Sequence, residues 1–203
     1  MYSQSTPSKQ PVLSHGGITF SNSAKTVFFG GDYYDNILAV APVRVTFVLS
    51  LYLASMPVSL VDIFSKEGGS ASTVSFFSRL STTNFHMTFP LTNTVNLTLL
   101  TTSFTPQVGT RYNFIITLDT TQSGGNQGKV YVNGIIQSLI TDTDQLNSVS
   151  NTPYPISIGG PQLSTTTRHF DGTIFAIHIY NKVFTQQDVT DMNDYLNTTY
   201  TYV

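Results

Sequence analysis

The chain has 203 residues and a formal charge of -2, from 9 Lys and Arg against 11 Asp and Glu, with no Cys and no Trp. Only 10% of residues are charged, while 40% are apolar and 12% aromatic, so the chain can bury one sizeable core and is not disordered. These figures exclude an electrostatic footprint for nucleic acid, a disulfide framework, a thiolate metal site and a Cys nucleophile.

No apolar run approaches the ~18 residues of a membrane-spanning helix. Met1–Ser14 (MYSQSTPSKQPVLS) is polar and lacks the apolar stretch of a secretory signal. The expectation is an extended arm over residues 1–15 followed by one domain over 16–203. The arm is either a frayed terminus or a segment donated to a neighbouring subunit. A chain of this kind is expected to be made without export, in the cytoplasm or in a particle such as a virion assembled there, or cut from a longer precursor.

Period-2 alternation then dominates. Short runs at Ile18–Phe20 and Thr26–Phe29 precede a long strand in which Val43, Val45, Phe47, Leu49, Leu51 and Leu53 take every second position. Further strands are expected at Val61–Phe64, Thr73–Phe77, Asn84–Phe89 and Asn96–Leu100. They continue at Arg111–Leu118, around Val130 and Val132, and at Ile156–Ile158 and Gly172–Tyr180. Glycine-containing turns separate them, among them Lys66-Glu67-Gly68-Gly69, Asn133-Gly134 and Gly159-Gly160. Asn133-Gly134 is the dipeptide of a two-residue type I′ hairpin. Gly159, Gly160 and Gly172 point to a bulge or a close backbone approach. One helix is expected near the C-terminus, where Thr185-Gln186-Gln187-Asp188 has capping-box spacing and Val189, Met192, Tyr195 and Leu196 share a face. It is expected to lie across one edge or end of the fold. The class is all-β, an antiparallel two-sheet sandwich with one short C-terminal helix.

The order of segments carries a resemblance. Arg111–Leu118 ends in Asp119, followed by Tyr131-Val132-Asn133-Gly134, then Ile158-Gly159-Gly160. Next come Phe170-Asp171-Gly172-Thr173-Ile174, Ile179-Tyr180-Asn181 and Phe184-Thr185. This resembles the concanavalin A-like jelly roll, in its laminin G-like branch, over roughly residues 16–197. The resemblance implies the jelly-roll fold and, in many relatives, one rim Ca²⁺ held by Asp, Asn and backbone carbonyls.

Catalytic chemistry finds little footing. Glucanases of this architecture work with paired carboxylates, whereas this chain has a single Glu, Glu67, expected in a turn. No nucleophile elbow or metal-spaced histidine motif is present, and Phe175, Ile177 and Ile179 are expected in the core, with His178 alternating. The expectation is a protein without catalytic activity and without a cofactor other than a candidate rim Ca²⁺. Its candidate ligands are Asp119, Asn126, Asp142 and Asp144, all of which ordinary Asx-turn chemistry also explains. For a ligand site the best mixture of aromatic faces with short polar acceptors is Asp32, Tyr33, Tyr34, Asp35 and Asn36. Two functions follow. A charge-poor, hydroxyl-rich surface and a polar arm suit a structural or attachment component of a virion, partnered by other protein subunits. The fold resemblance suits a lectin-like module that binds glycans.

Overall fold

The computed structural model describes residues 12–14, 17–20, 27–29, 38, 41–56, 60–67, 74–90, 96–102, 104–141, 146, 148–150, 152, 154–160 and 168–200. In chain order its strands are β1 (Val12–Ser14), β2 (Gly17–Phe20), β3 (Val27–Phe29), β4 (Arg44–Leu53), β5 (Val61–Glu67), β6 (Val74–Leu80) and β7 (Phe85–Pro90). They continue with β8 (Asn96–Thr101), β9 (Thr110–Asp119), β10 (Gly128–Val132), β11 (Ile135–Ile136), β12 (Leu139–Thr141), β13 (Ile156–Ile158) and β14 (Gly172–Tyr180). A single α-helix, α1 (Gln186–Thr199), follows.

The strands form two antiparallel seven-stranded sheets. Sheet I runs β1-β2-β14-β4-β9-β10-β11, and sheet II runs β12-β8-β7-β6-β5-β13-β3. Alternation explains the layering, because each strand turns every second side chain inward. Val45, Phe47, Leu49 and Leu51 of sheet I meet Phe64, Phe76, Phe85, Met87 and Phe89 of sheet II in one buried cluster. The rings interlock at aromatic contact distances, with Phe47 5.1 Å from Phe76 and Phe85 stacked 4.4 Å from Phe114. The sequence-expected strands are present, and β1 pairs with β2 through Val12–Thr19 to Ser14–Gly17, so this part of the expected arm is an edge strand. The β10–β11 turn carries Asn133 at φ 51° and Gly134 at φ 81°, as a type I′ turn requires.

The helix begins as expected. Thr185 Oγ1 accepts the Asp188 N–H, and the Asp188 carboxylate accepts the Thr185 N–H, the two halves of a capping box. Its position differs from the expectation. It lies on the outer face of sheet I, where Val189 and Leu196 bury against Val48, Ile115, Tyr131 and Ala176. These sheet residues are the apolar members of an outward phase that is otherwise mostly polar, and the register gathers them into one patch that needs covering. Tyr195, expected on the buried stripe, is 48% exposed.

Arg111 and Asn113 clamp the helix from β9. Arg111 donates to the carbonyls of Leu196 and Tyr200, and Asn113 Nδ2 donates to Asn193 Oδ1 (3.0 Å) and Asn197 Oδ1 (2.9 Å). A β-bulge between Ile174 and Ala176 changes the phase of β14. Ile177 and Ile179 pack on the core as expected, but Phe175 turns outward and stacks on Tyr200 at 6.1 Å. His178 shares the outward side, stacked on Tyr180.

Candidate functional site

The helix covers sheet I, so the outward face of sheet II is the other broad surface of the sandwich. Its strands place polar side chains there by alternation: Phe77, Arg79, His86, Thr88 and Thr98 stand opposite the core-facing Phe76, Leu80, Phe85, Met87 and Leu97. Two hydroxyl pairs cross the strands, Ser65 with Ser157 at 2.8 Å and Thr88 with Thr98 at 3.2 Å.

At the centre is a charged cluster that the register assembles. Asp62 of β5 pairs with Arg79 of β6, and Arg79 pairs with His86 of β7. Residues 168–170 run beside β5 as an isolated parallel bridge, Asp62 with His169, secured by a hydrogen bond from the Asp62 N–H to the Arg168 carbonyl. Two guanidiniums therefore converge on one carboxylate: Arg79 Nε lies 2.5 Å from Asp62 Oδ1, and Arg168 Nε lies 3.6 Å from Asp62 Oδ2. The Arg79 guanidinium lies over the Phe77 ring, 3.7 Å from its centroid, an arrangement that fixes its plane. From there its Nη2 stands 3.8 Å from Glu67 Oε2, beyond hydrogen-bond range.

Asp62 is wholly buried, yet the Arg79 and Arg168 side chains are 14% and 29% exposed and reach the surface. Asp62 Oδ2 and Glu67 Oε1 are buried with no hydrogen-bond partner among the described residues. Buried carboxylate oxygens are normally saturated, so this cluster holds acceptor capacity beside two guanidiniums. Burial first, then the Asp62 charge, raises the Glu67 pKa above its ordinary 4.5. Burial first, then the Arg79 charge, pushes the His86 imidazole down to about 4. Glu67, expected in a turn, is the last residue of β5 and buried; the strand runs on to pair Glu67 with Val74.

The His86 shift has a measurable consequence. A folded-state imidazole that resists protonation contributes its full stability above the ordinary pKa of 6.5 and loses it as pH falls toward 4. At about 1.4 kcal/mol per unit the loss is at most about 3.5 kcal/mol, reduced by the wet share of the half-buried ring. Glu67 acts in the opposite direction, since its ionisation penalty grows as pH rises above 4.5. The difference in melting temperature between wild type and His86→Gln isolates the imidazole, and it is expected to fall steadily from pH 6.5 to 4.

The sequence-predicted residues fare unevenly. Asp32, Tyr33, Tyr34, Asp35 and Asn36 lie outside the described residues, as do Asp142 and Asp144. Asp119 and Asn126 do come together, along a depression on the helix side of sheet I. Asp119 Oδ1 already accepts from the Thr121 N–H at 3.0 Å and hydroxyl at 2.6 Å, and Oδ2 stands 3.6 Å from Arg44 Nε. Turn hydrogen bonds and the Arg44 guanidinium thus engage both Asp119 oxygens. Among the described residues no three His, Asp or Glu are grouped to hold a metal, and no helix is long and apolar enough to cross a membrane.

Two packed antiparallel sheets in this order define a jelly-roll sandwich of the concanavalin A-like class. The chain belongs to the Laminin_G_3 family of the concanavalin A-like lectin/glucanases superfamily, which it matches over residues 39–190. No curated protein matches the sequence. Among solved structures it is similar to the CBM40 module of Ruminococcus gnavus IT-sialidase bound to α2,3-sialyllactose, with a TM-score of 0.66 and 15% identity, covering 87% of this chain and 96% of that one. It is also similar to Trypanosoma rangeli sialidase in complex with 2,3-difluorosialic acid, with a TM-score of 0.61 and 13% identity. That match covers 92% of this chain but only 29% of the sialidase chain. The binding domain of botulinum neurotoxin serotype G gives a TM-score of 0.64 at 12% identity, covering 90% of this chain and 43% of that one.

Proposed function

We propose that this protein is a non-catalytic, lectin-like module that binds acidic glycans on the outward face of sheet II. The observation that carries the reading is Asp62: a buried carboxylate shared by Arg79 and Arg168, whose side chains reach the surface of the sheet. A sugar carboxylate complements the guanidinium edges that reach the surface, and the buried Asp62 behind them holds both in place. The fold supports the reading by analogy, through its likeness to a module bound to sialyllactose. That likeness favours the lectin-like reading over the virion component. Asp62 is held between two guanidiniums, a role in setting their orientation rather than in proton transfer.

Titration calorimetry with α2,3-sialyllactose tests it. Wild type is expected to bind, and Arg168→Met to weaken binding by about tenfold or more, the loss of one charge-assisted contact. Arg79→Lys keeps the charge but removes the planar fork, and should weaken binding similarly. Melting curves confirm that each variant is folded. Absence of binding by wild type, or unchanged affinity in both variants, overturns the proposal.

A further inference from the structure

We infer that the depression on the helix side of sheet I is a separate binding site for a neutral sugar ring. It lies on the opposite sheet from the arginine cluster and has a volume of about 380 Å³, within the range of small-ligand sites. Its floor is Thr117 and Lys129, cross-strand partners on β9 and β10. Asp119 and Asn126 line it from the connection between β9 and β10, and Val183 and Phe184 from the segment before α1.

Both walls are held by buried groups. Thr46 Oγ1 donates to the Lys182 carbonyl at 2.7 Å and accepts the Phe184 N–H at 3.0 Å, fixing the segment before α1 to the sheet. The Gln127 side chain, 1% exposed, ties the turn to a distant segment. Its Nε2 donates to the carbonyls of Gln122 (3.1 Å) and Leu146 (2.6 Å), and its Oε1 accepts the Leu146 N–H at 2.8 Å. A site with preset walls loses little entropy on binding.

The lining selects by charge and by pattern. The Lys129 ammonium and the Asp119 carboxylate oppose each other in sign, so an ion of either sign meets one repulsive partner. The Thr117 hydroxyl, the Asn126 amide and the Lys129 ammonium line the depression and complement sugar hydroxyls, each of which both donates and accepts, while Asp119, engaged by Thr121 and Arg44, contributes its charge. Val183, half-buried, supplies an apolar contact for the C–H face of a ring, beside Phe184, which is packed into the cluster between helix and sheet. Two of these residues, Asp119 and Asn126, were singled out by the sequence for a different chemistry.

The test is an array restricted to neutral glycans, probed with the purified chain. Wild type is expected to retain a subset of them. Lys129→Met, at an exposed position that leaves the fold intact, and Thr117→Val are each expected to lower that signal by about tenfold. Amide shifts at Thr117, Asn126 and Lys129 on addition of the best array glycan give a second readout. Binding of no neutral glycan, or a signal indifferent to both substitutions, overturns the inference. A neutral-glycan signal lost in Arg79→Met but kept in Lys129→Met assigns it to sheet II and overturns this site alone. Loss of sialyllactose binding in the arginine variants, with the neutral signal intact, keeps the two sites distinct.

Discussion

Gly172→Ala is expected to destabilise the folded chain by about 3–5 kcal/mol, the sum of a strained backbone and a steric overlap. Gly172 has φ +154°, a region that residues with a side chain rarely adopt, and a Cβ there would stand 2.0 Å from the Tyr52 carbonyl oxygen. That oxygen cannot retreat. Tyr52 belongs to β4, which is paired along its length with β9 on one side and β14 on the other. The Phe170 ring, 2.9 Å from the same Cβ position, closes the remaining space. For a domain of this size the cost corresponds to roughly 10–15 °C in melting temperature. Gly159→Ala should follow closely, because at φ +80° its Cβ would meet the buried Phe20 ring at 2.2 Å. Gly109 supplies the control. It has φ +74°, yet the nearest atom to its Cβ position is the Tyr52 hydroxyl at 4.0 Å, so Gly109→Ala should cost only about 1–2 kcal/mol of backbone strain. Circular dichroism melts of the three variants check the ranking, and equal losses would show that steric overlap is not what these positions resist.

The close approaches at Gly159 and Gly172 were legible in the sequence, as was most of the architecture. Alternation in Val43–Leu53 and Arg111–Leu118 is a local signal, and a strand that obeys it declares its buried face without knowledge of its neighbours. The Thr185–Asp188 cap is equally local. What the sequence hid is whatever depends on register. Val48, Ile115 and Tyr131 occupy the outward phase of their strands, and only the assembled sheet shows that together they form a second apolar face needing the helix. The bulge at Phe175 shifts one side chain across the sheet, with no signal in an unbroken run of β-formers.

The charged site is the same problem in its strongest form. Asp62 and Arg79 are 17 residues apart, and Arg168 arrives from a distant segment after β13. No spacing rule joins the three. A faint signal existed: in a chain with 10% charged residues, a charge flanked by apolar residues in a strand requires a partner if it is buried. Asp62 is such a residue. Lys66-Glu67-Gly68-Gly69 pointed the other way, because two glycines after two charges resemble a turn, whereas β5 continues through Glu67. The candidate segment Asp32–Asn36 was chosen for composition alone, and composition does not place residues on a common face.

Asp62→Asn is expected to cost about 2–4 kcal/mol, although it changes neither size nor shape. Breaking a buried ion pair by removing one partner typically costs about 3–5 kcal/mol, because the remaining charge stays desolvated. Here the two remaining charges are guanidiniums with 14% and 29% of their side chains exposed, so water recovers part of the loss. Glu67 is too far from Arg79, at 3.8 Å, to replace Asp62 as a hydrogen-bonding partner without movement. The loss is electrostatic, and a second substitution reveals it. Arg79→Met in the Asp62→Asn background removes one of the stranded cations, so the double variant should be more stable than the two single losses predict. The expected coupling is about 1–3 kcal/mol. Urea unfolding is the suitable measurement, since an uncharged denaturant does not screen the cluster. Strict additivity would mean that Asp62 and Arg79 do not share their energy across β5 and β6. The pair would then be a contact without consequence for folding, and its place on the sheet face would have to be explained by ligand binding alone.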